Sequence, residues 1–350
     1  MFNKRKTGIA VAIIVMFLAV AVIPVHTAMA REITDMAGRT VALPDSIRRV
    51  YAPSPYGSYI MYSVDPSMLS GLNLPIKEED RKYFPKEVQG LPVIGSLSGQ
   101  GQAANIEVLL KARLDLLIMW SANRSAINER TGESLKKLNT PFVYAVAENL
   151  SDYPDVYLFL GKVLKREERT KQLSSYCRKT LEEVKNVVSR IPAEKRPSVY
   201  YAEGMDGLST ECNDSIHVEL LQIAGDKDVH RCHTSNHKGF EKVSIEQVML
   251  YNPDVIVAQE KVFYDKVYSD PVWQNVKAVR DKRVYLIPRA PFNWFDRPPS
   301  FMRILGLKWL TNCLYPNEYR IDIVKEAQAF YSLFLGVEVS DEEMRRIIYR

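Results

Sequence analysis

Two separated stretches of this chain follow one plan. NIEVLLKARLDLLIMW (Asn105 to Trp120) and VSIEQVMLYNPDVIVAQ (Val243 to Gln259) each read as a capped helix, a turn and a buried apolar strand. Aligned, Glu107 matches Glu246 and Asp115 matches Asp254. A helix-turn-strand unit that occurs twice predicts two α/β lobes of the same build, each around a parallel sheet. REITDMAGRTVALP, alternating around an Ala-Gly turn, predicts a hairpin ahead of the first lobe. Val50 and Tyr51 end a further strand, and the apolar, β-branched runs Thr140 to Val146 and Ser198 to Gly204 predict two more.

Between the two units the pattern changes. From Ser151 to Arg190 apolar residues recur at helical spacing, including Leu173, Cys177, Leu181, Val184 and Val188, with Glu and Lys on the other faces. One helix of about forty residues would be ~60 Å long. That is too long to lie inside a lobe, so a strut between lobes is expected. Farther on, DSIHVELLQIAG predicts a helix capped by Asp214 and closed by Gly225. The expected organisation is a leader over 1–30, a first lobe over 31–150, a connecting helix over 151–192 and a second lobe over 193–350.

The leader rests on three features: the basic MFNKRK, the apolar run Ile9 to Val25, and the small-x-small site AMA at Ala28 to Ala30. Cleavage there would release the protein outside the cytoplasm; an uncleaved membrane anchor is the alternative. The formal charge of +5 shrinks once this basic segment is removed. The nearly neutral remainder offers no electrostatic footprint for nucleic acid. There is no G-x-S-x-G and no H-E-x-x-H, so hydrolase chemistry has no motif to stand on.

Histidine and cysteine are scarce, with five and four in the whole chain, yet DVHRCHTSNHKGF holds His230, Cys232, His233 and His237 within a few residues. Thr, Ser, Asn and Gly there favour a loop. The three histidines are candidate nitrogen ligands for a metal and Cys232 a candidate sulfur ligand. Such a loop can instead complete the coordination shell of a chelated metal or supply an axial histidine to haem. Cys232 has a competing use, a disulfide with Cys212 on the other side of the predicted helix, which an oxidising compartment favours. Cys177 and Cys313 read as buried small hydrophobes.

DMAGRTVALPDSIRRV, NIEVLLKARLDLLIM, SIEQVMLYNPDVIVAQ and DPVWQNVKAVRDKRVYLIP, in this order, resemble the substrate-binding proteins of iron-siderophore, haem and cobalamin ABC importers. The resemblance covers essentially the whole chain after the leader. It implies two Rossmann-like lobes bridged by one rigid helix, with ligand held in the cleft between them. It also implies a periplasmic monomer that serves a permease and its ATPase, without an intrinsic cofactor and without catalysis. The cargo it implies is an iron complex, with a ferric siderophore first, and cobalamin, haem or a nickel or other metal chelate as alternatives. A metal-dependent enzyme or metallochaperone on the same two lobes is the reading from a different class. Glu107 and Glu246, matched on the two lobes, are implied to dock against permease arginines, although an acid near a helix start also suits the helix dipole.

Ligands of α/β lobes lie beyond the carboxyl ends of the strands. That rule nominates Tyr51, Tyr56, Tyr59, Trp120 and Arg124 in the first lobe. In the second it nominates Tyr201, His230, His233, His237, Phe240, Tyr264, Trp294 and Arg297. So many aromatics at strand ends predict a large, flat, partly apolar ligand. The two arginines are candidate partners for its anionic groups. Trp120, in IMWSANR, and Trp294 with Arg297, in NWFDRPPS, also resemble family positions at the cleft. Phe263, Phe292 and Phe295 are read as packing or contact residues alike.

Overall fold

The computed structural model describes residues 30–97, 103–104, 106–121, 139–233 and 239–349. The expected hairpin forms: β1 (Ala30–Thr34) pairs antiparallel with β2 (Thr40–Pro44). Asp35 closes its turn, accepting from the N–H groups of Ala37 and Arg39 at 3.0 and 2.9 Å.

The first lobe is built on a parallel sheet of β3 (Val50–Tyr51), β4 (Leu116–Ser121) and β5 (Phe142–Val146), with β4 central. Helix α1 (Pro55–Val64) leaves β3 directly, capped by the Ser54 hydroxyl and started by Pro55. Helix α2 (Ile106–Lys111) feeds β4. The stretch Tyr51 to Tyr59, beyond the end of a strand, is therefore mostly helix: the Ser-Pro pair is a helix start.

The helical stretch after β5 is two helices. α3 (Tyr153–Leu164) ends at Lys165, whose φ of 55° stops it, and α4 (Glu167–Val188) then folds back along it. A Cβ on Gly161 would lie 2.0 Å from the Thr170 hydroxyl, so only glycine permits this close approach. At about 1.5 Å per residue, the twenty-two residues of α4 span roughly 33 Å, not the length expected of a single strut. Periodicity alone misses the break because Lys165 and Arg166 fall on polar positions of the pattern.

The second lobe has four parallel strands in the order β11-β10-β6-β8: β6 (Ser198–Ala202), β8 (Lys227–Asp228), β10 (Val255–Ala258) and β11 (Val284–Leu286). A small ladder of β7 (Ser209–Thr210) and β9 (Glu241–Lys242) stands beside it. Helix α5 (Glu219–Ile223) follows a short 3-10 turn that Ser215, not Asp214, caps. Helix α6 (Ile245–Tyr251), capped by Ser244, feeds β10, and α7 (Lys261–Val267) follows it. Three longer helices close the chain: α8 (Arg303–Leu314), α9 (Ile323–Leu335) and α10 (Asp341–Ile348).

These last helices return to the first lobe. α9 packs on α1, and the Tyr83 hydroxyl donates to Glu343 of α10 at 2.6 Å. α4 lies between α3 and α8. The largest apolar core accordingly runs through both lobes, from Leu43 and Val50 by Tyr157 and Leu173 to Phe330 and Ile348. Among the described residues no helix is long and apolar enough to cross a membrane.

Candidate functional site

A cavity of about 430 Å³ lies between the lobes. α1 supplies Ser58, Tyr59 and Tyr62 to its wall, and the irregular segment after it supplies Leu69, Leu72, Asn73, Lys77, Asp80 and Phe84. The second lobe answers with Gln259 and Glu260 after β10, and with Arg289, Phe292, Asn293 and Arg297 after β11. Both second-lobe segments follow strand carboxyl ends, where ligands of such sheets bind.

The wall is aromatic in its middle. Tyr59 packs on Phe292 with ring centroids 4.0 Å apart, and Phe84 and Tyr62 meet Phe292 edge-on. Polar side chains interrupt it at defined places. Asn73 donates to the Tyr51 hydroxyl and to the carbonyls of Ala52 and Gly95 at 3.0–3.1 Å, which leaves its buried Oδ1 without a partner. Asn293 donates to Gln259 Oε1 at 3.2 Å and accepts the Phe295 and Asp296 N–H groups, fixing the turn that carries Arg297.

Arg297 anchors a buried charge cluster. Its guanidinium binds Glu203, beyond β6, and Glu211, beyond β7, and lies 3.7 Å from Asp296. Burial pushes the Glu203 carboxyl up to about 7, with Arg297 pulling the other way. Burial opposes charge on His217, but its 2.6 Å hydrogen bond to Asp296 prevails and raises its pKa. Phe240 stacks on the Arg297 guanidinium, 3.9 Å from ring centroid to carbon, and donates its N–H to Glu211. The loop turns sharply there: Gly239 and Phe240 both have positive φ, and a Cβ on Gly239 would strike the Glu211 carboxylate. Next to Glu211, Cys212 is disulfide-bonded to Cys232, which ties the histidine loop to the same cluster.

Across from this cluster, Tyr56 stacks on Trp120 at 5.9 Å, and Trp120 meets Tyr153 edge-on. Burial, then the Asp296 charge, raises the Tyr56 hydroxyl well above the ordinary tyrosine range. Trp120 Nε1, Tyr201 Oη and Asp296 Oδ1 are buried without a hydrogen-bond partner. Buried polar atoms are nearly always paired, so each of these three retains unused hydrogen-bonding capacity.

The structure sorts the sequence-nominated residues. Tyr59, Phe292 and Arg297 line the cavity, Tyr56 and Trp120 stack on each other outside its wall, and Phe240 covers Arg297. Tyr51, Tyr201 and Trp294 are corrections. All are buried in the core, because Tyr51 and Tyr201 lie within strands and Trp294 donates to the Tyr331 hydroxyl behind its turn. Phe263 and Phe295 are packing residues too. Tyr264 is on α7, edge-on to Tyr268 and away from the cavity wall. Arg297 is no open anion receptor, since two carboxylates already hold it.

Among the described residues, His230 and His233 do not come together at one site. His230 is half-buried against the Tyr251 hydroxyl at 2.9 Å, whereas His233 projects into solvent 3.3 Å from Asp214. The one close group of three ligating residues among the described residues is Cys212, His230 and Cys232, and the disulfide removes both sulfurs. Arg124 and His237 lie outside the described residues. Glu107 and Glu246 are exposed in the first turns of α2 and α6. Sequence reasoning missed Asn73, Tyr62, Phe84 and Asn293; GLNLPIKEEDRKYFP, which carries two of them, has neither helical nor strand periodicity.

Comparison with known proteins decides the family, for residues 82–291 match the periplasmic binding protein family. The chain belongs to that family. It is similar to an ABC transporter solute-binding protein of Sulfurospirillum deleyianum, 38% identical with a TM-score of 0.85, over 91% of this chain and 99% of that one. The molybdate-binding protein MolA of Haemophilus influenzae is 24% identical over 90% of this chain and 94% of its own length. The haem uptake protein IsdE of Staphylococcus aureus is 23% identical over 64% of this chain and 76% of its own. These relatives make the chain the solute-binding component of an ABC importer, a protein that works with a permease and an ATPase rather than an enzyme.

Proposed function

We propose that this binding protein captures a chelated metal outside the cytoplasm, a ferric siderophore as the expected cargo, and hands it to its permease. The inter-lobe cavity carries the reading. About 430 Å³ of space with a Tyr59–Phe292–Phe84 wall suits an organic ligand, since pockets for such molecules run about 300–1,000 Å³ and are largely apolar. The unpartnered Asn73 Oδ1 is free to accept a hydrogen bond from a ligand O–H or N–H, and the unpartnered Trp120 Nε1 to donate one to a ligand oxygen. A compact dianion such as the molybdate of the Haemophilus relative fits less well, because it would leave the aromatic wall of Tyr59, Phe84 and Phe292 without an apolar partner. Haem, cobalamin and nickel chelates are the competing cargoes for the same cleft.

In this reading residues 1–30 are removed on export, and a periplasmic monomer presents two lobes, 31–150 and 193–350. Glu107 and Glu246 dock it on the permease. Absorption spectra and metal analysis of the natively purified protein, followed by titration of its tryptophan fluorescence, provide the test. Ferric catecholate and hydroxamate chelates are expected to quench at submicromolar concentration and to bind in preference to haemin, cyanocobalamin, nickel-histidine and molybdate. Saturation by molybdate with no response to any iron chelate would discard the proposal.

A further inference from the structure

The two repeat helices carry a second matched feature besides their glutamates. α2 runs Ile106-Glu-Val-Leu-Leu-Lys and α6 runs Ile245-Glu-Gln-Val-Met-Leu-Tyr, so Leu110 aligns with Met249. Leu109 and Val248, one position earlier, are buried, joining Leu117 and Met119 in one lobe and Ile256 and Ala258 in the other. Leu110 is 52% exposed, Met249 41% and the adjoining Leu250 78%. Single exposed apolar residues are ordinary. Their recurrence at equivalent places in both lobes is not, since neither is required to cover its own core.

Their position follows from the topology. Each helix folds back through a short turn onto the strand it feeds, so it runs antiparallel to that strand. Its first turn, with the glutamate, then lies at the carboxyl end of the strand, on the side where the cleft opens. The apolar residues sit one turn farther on. Each rim thus presents an acid with an apolar neighbour three residues away, the spacing that puts both on one helix face. Two such pairs straddling a ligand exit fit a partner that offers, twice, a basic side chain beside an apolar one.

We propose that Leu110 on one lobe and Met249 with Leu250 on the other form an apolar tier of contact with the extracytoplasmic face of the importer's permease, beneath the Glu107 and Glu246 contacts. This rests on the reading that those glutamates dock the protein on that permease. The acids steer approach and weaken with salt, whereas the apolar tier holds the complex once it has formed.

The test titrates the ligand-free protein against the permease–ATPase complex in lipid nanodiscs, at low and high salt, reading affinity and ATPase rate. Leu110→Ser is expected to weaken binding by roughly ten-fold and M249S/L250S by somewhat more, as loss of a buried leucine contact implies. The effect persists at high salt, and melting temperature and circular dichroism stay at wild-type values because these side chains are exposed. Unchanged affinity in the triple variant, while E107A/E246A loses it, overturns this inference alone. Unchanged affinity in both overturns the docking reading as well.

Discussion

In the first lobe, Asp115 accepts from the backbone N–H groups of Arg48 and Arg49 at 2.8 and 2.9 Å, just before β3. In the second, Asp254 accepts from the N–H and hydroxyl of Ser198, at the start of β6, at 2.8 and 2.9 Å. Both aspartates follow a residue with positive φ, Arg113 and Asn252, and both precede an inner strand of a parallel sheet. The repeat is thus preserved to the level of single hydrogen bonds. The surfaces turned to the cleft are not. To the cavity wall the first lobe offers Tyr59, Tyr62 and Phe84 with Lys77 and Asp80, whereas the second offers one aromatic ring, Phe292, beside Gln259, Glu260, Arg289 and an Arg297 held by Glu203 and Glu211, with a disulfide next to Glu211. A duplicated scaffold fixes where loops leave the sheet, and the loop residues alone set what each side can recognise.

The comparison makes the charged rim the more fragile. Replacing Arg297 with Ala would strand Glu203 and Glu211 in a buried site, and breaking such a pair costs about 3–5 kcal/mol. Urea denaturation is expected to show that loss for R297A, with most of it recovered in R297A/E203Q/E211Q. Trp120→Phe in the first lobe, a change within an aromatic stack, is expected to cost far less. Equal losses for R297A and W120F would break the contrast. Next comes the disulfide. Its cysteines are 20 residues apart, and closing a loop of that size stabilises by about 3 kcal/mol on chain-entropy grounds. A C212S/C232S variant is expected to unfold at correspondingly lower urea and to expose the 228–240 segment to protease first. Cleavage that begins in the first lobe would show that the link does not pin this rim.

Which features were legible in the sequence follows from the kind of signal each leaves. The repeat, the hairpin, the strands and the two-lobed class were readable because alternation and helical period record burial directly. The disulfide stood among the open alternatives, and the pairing of Cys212 with Cys232 is what forms. The break at Lys165 escaped because its left-handed turn falls on polar positions and leaves the apolar period intact. The site was legible only in outline. Of the nominated residues Tyr59, on α1, and Phe292 and Arg297, beyond β11, line the cavity, but aromatic identity does not tell a tip from a core position, and Tyr51, Tyr201 and Trp294 are buried. Asn73 and Phe84 belong to an aperiodic segment that no pattern marks.

A smaller effect separates the lobes by pH. Asp226 and Asp228 flank the start of β8 in the second lobe, each with a buried oxygen that has no partner. Burial, then the neighbouring Asp228 charge, pushes Asp226 up to about 8, and burial pushes Asp228 up to about 6. A carboxyl whose folded pKa exceeds its unfolded value binds its proton more tightly when folded. Its contribution is therefore intact at acid pH and is lost as pH climbs from about 4 to about 8. Melting temperature is expected to fall over that interval. Asp226→Asn is expected to flatten the fall and to raise stability near pH 8 by on the order of 1–3 kcal/mol. An N-type variant as pH-sensitive as the parent would place the titration elsewhere.

The finest contrast lies in the paired turns. Arg113 and Asn252 hold equivalent positions with φ of 47° and 40°, in the left-handed region. Asparagine visits that region at little cost, whereas a longer side chain pays for the close approach of its Cβ to the backbone. Chemical denaturation of R113G and N252G separates the two. Glycine at 113 is expected to relieve strain and stabilise by about 0.5–1 kcal/mol, while glycine at 252 is expected to be neutral or slightly destabilising, since it replaces a residue already suited to the turn and adds freedom to the unfolded chain. If both glycines behaved alike, the difference between Arg113 and Asn252 would carry no energetic weight. If N252G gained more, the second lobe rather than the first would hold the strained copy of the turn.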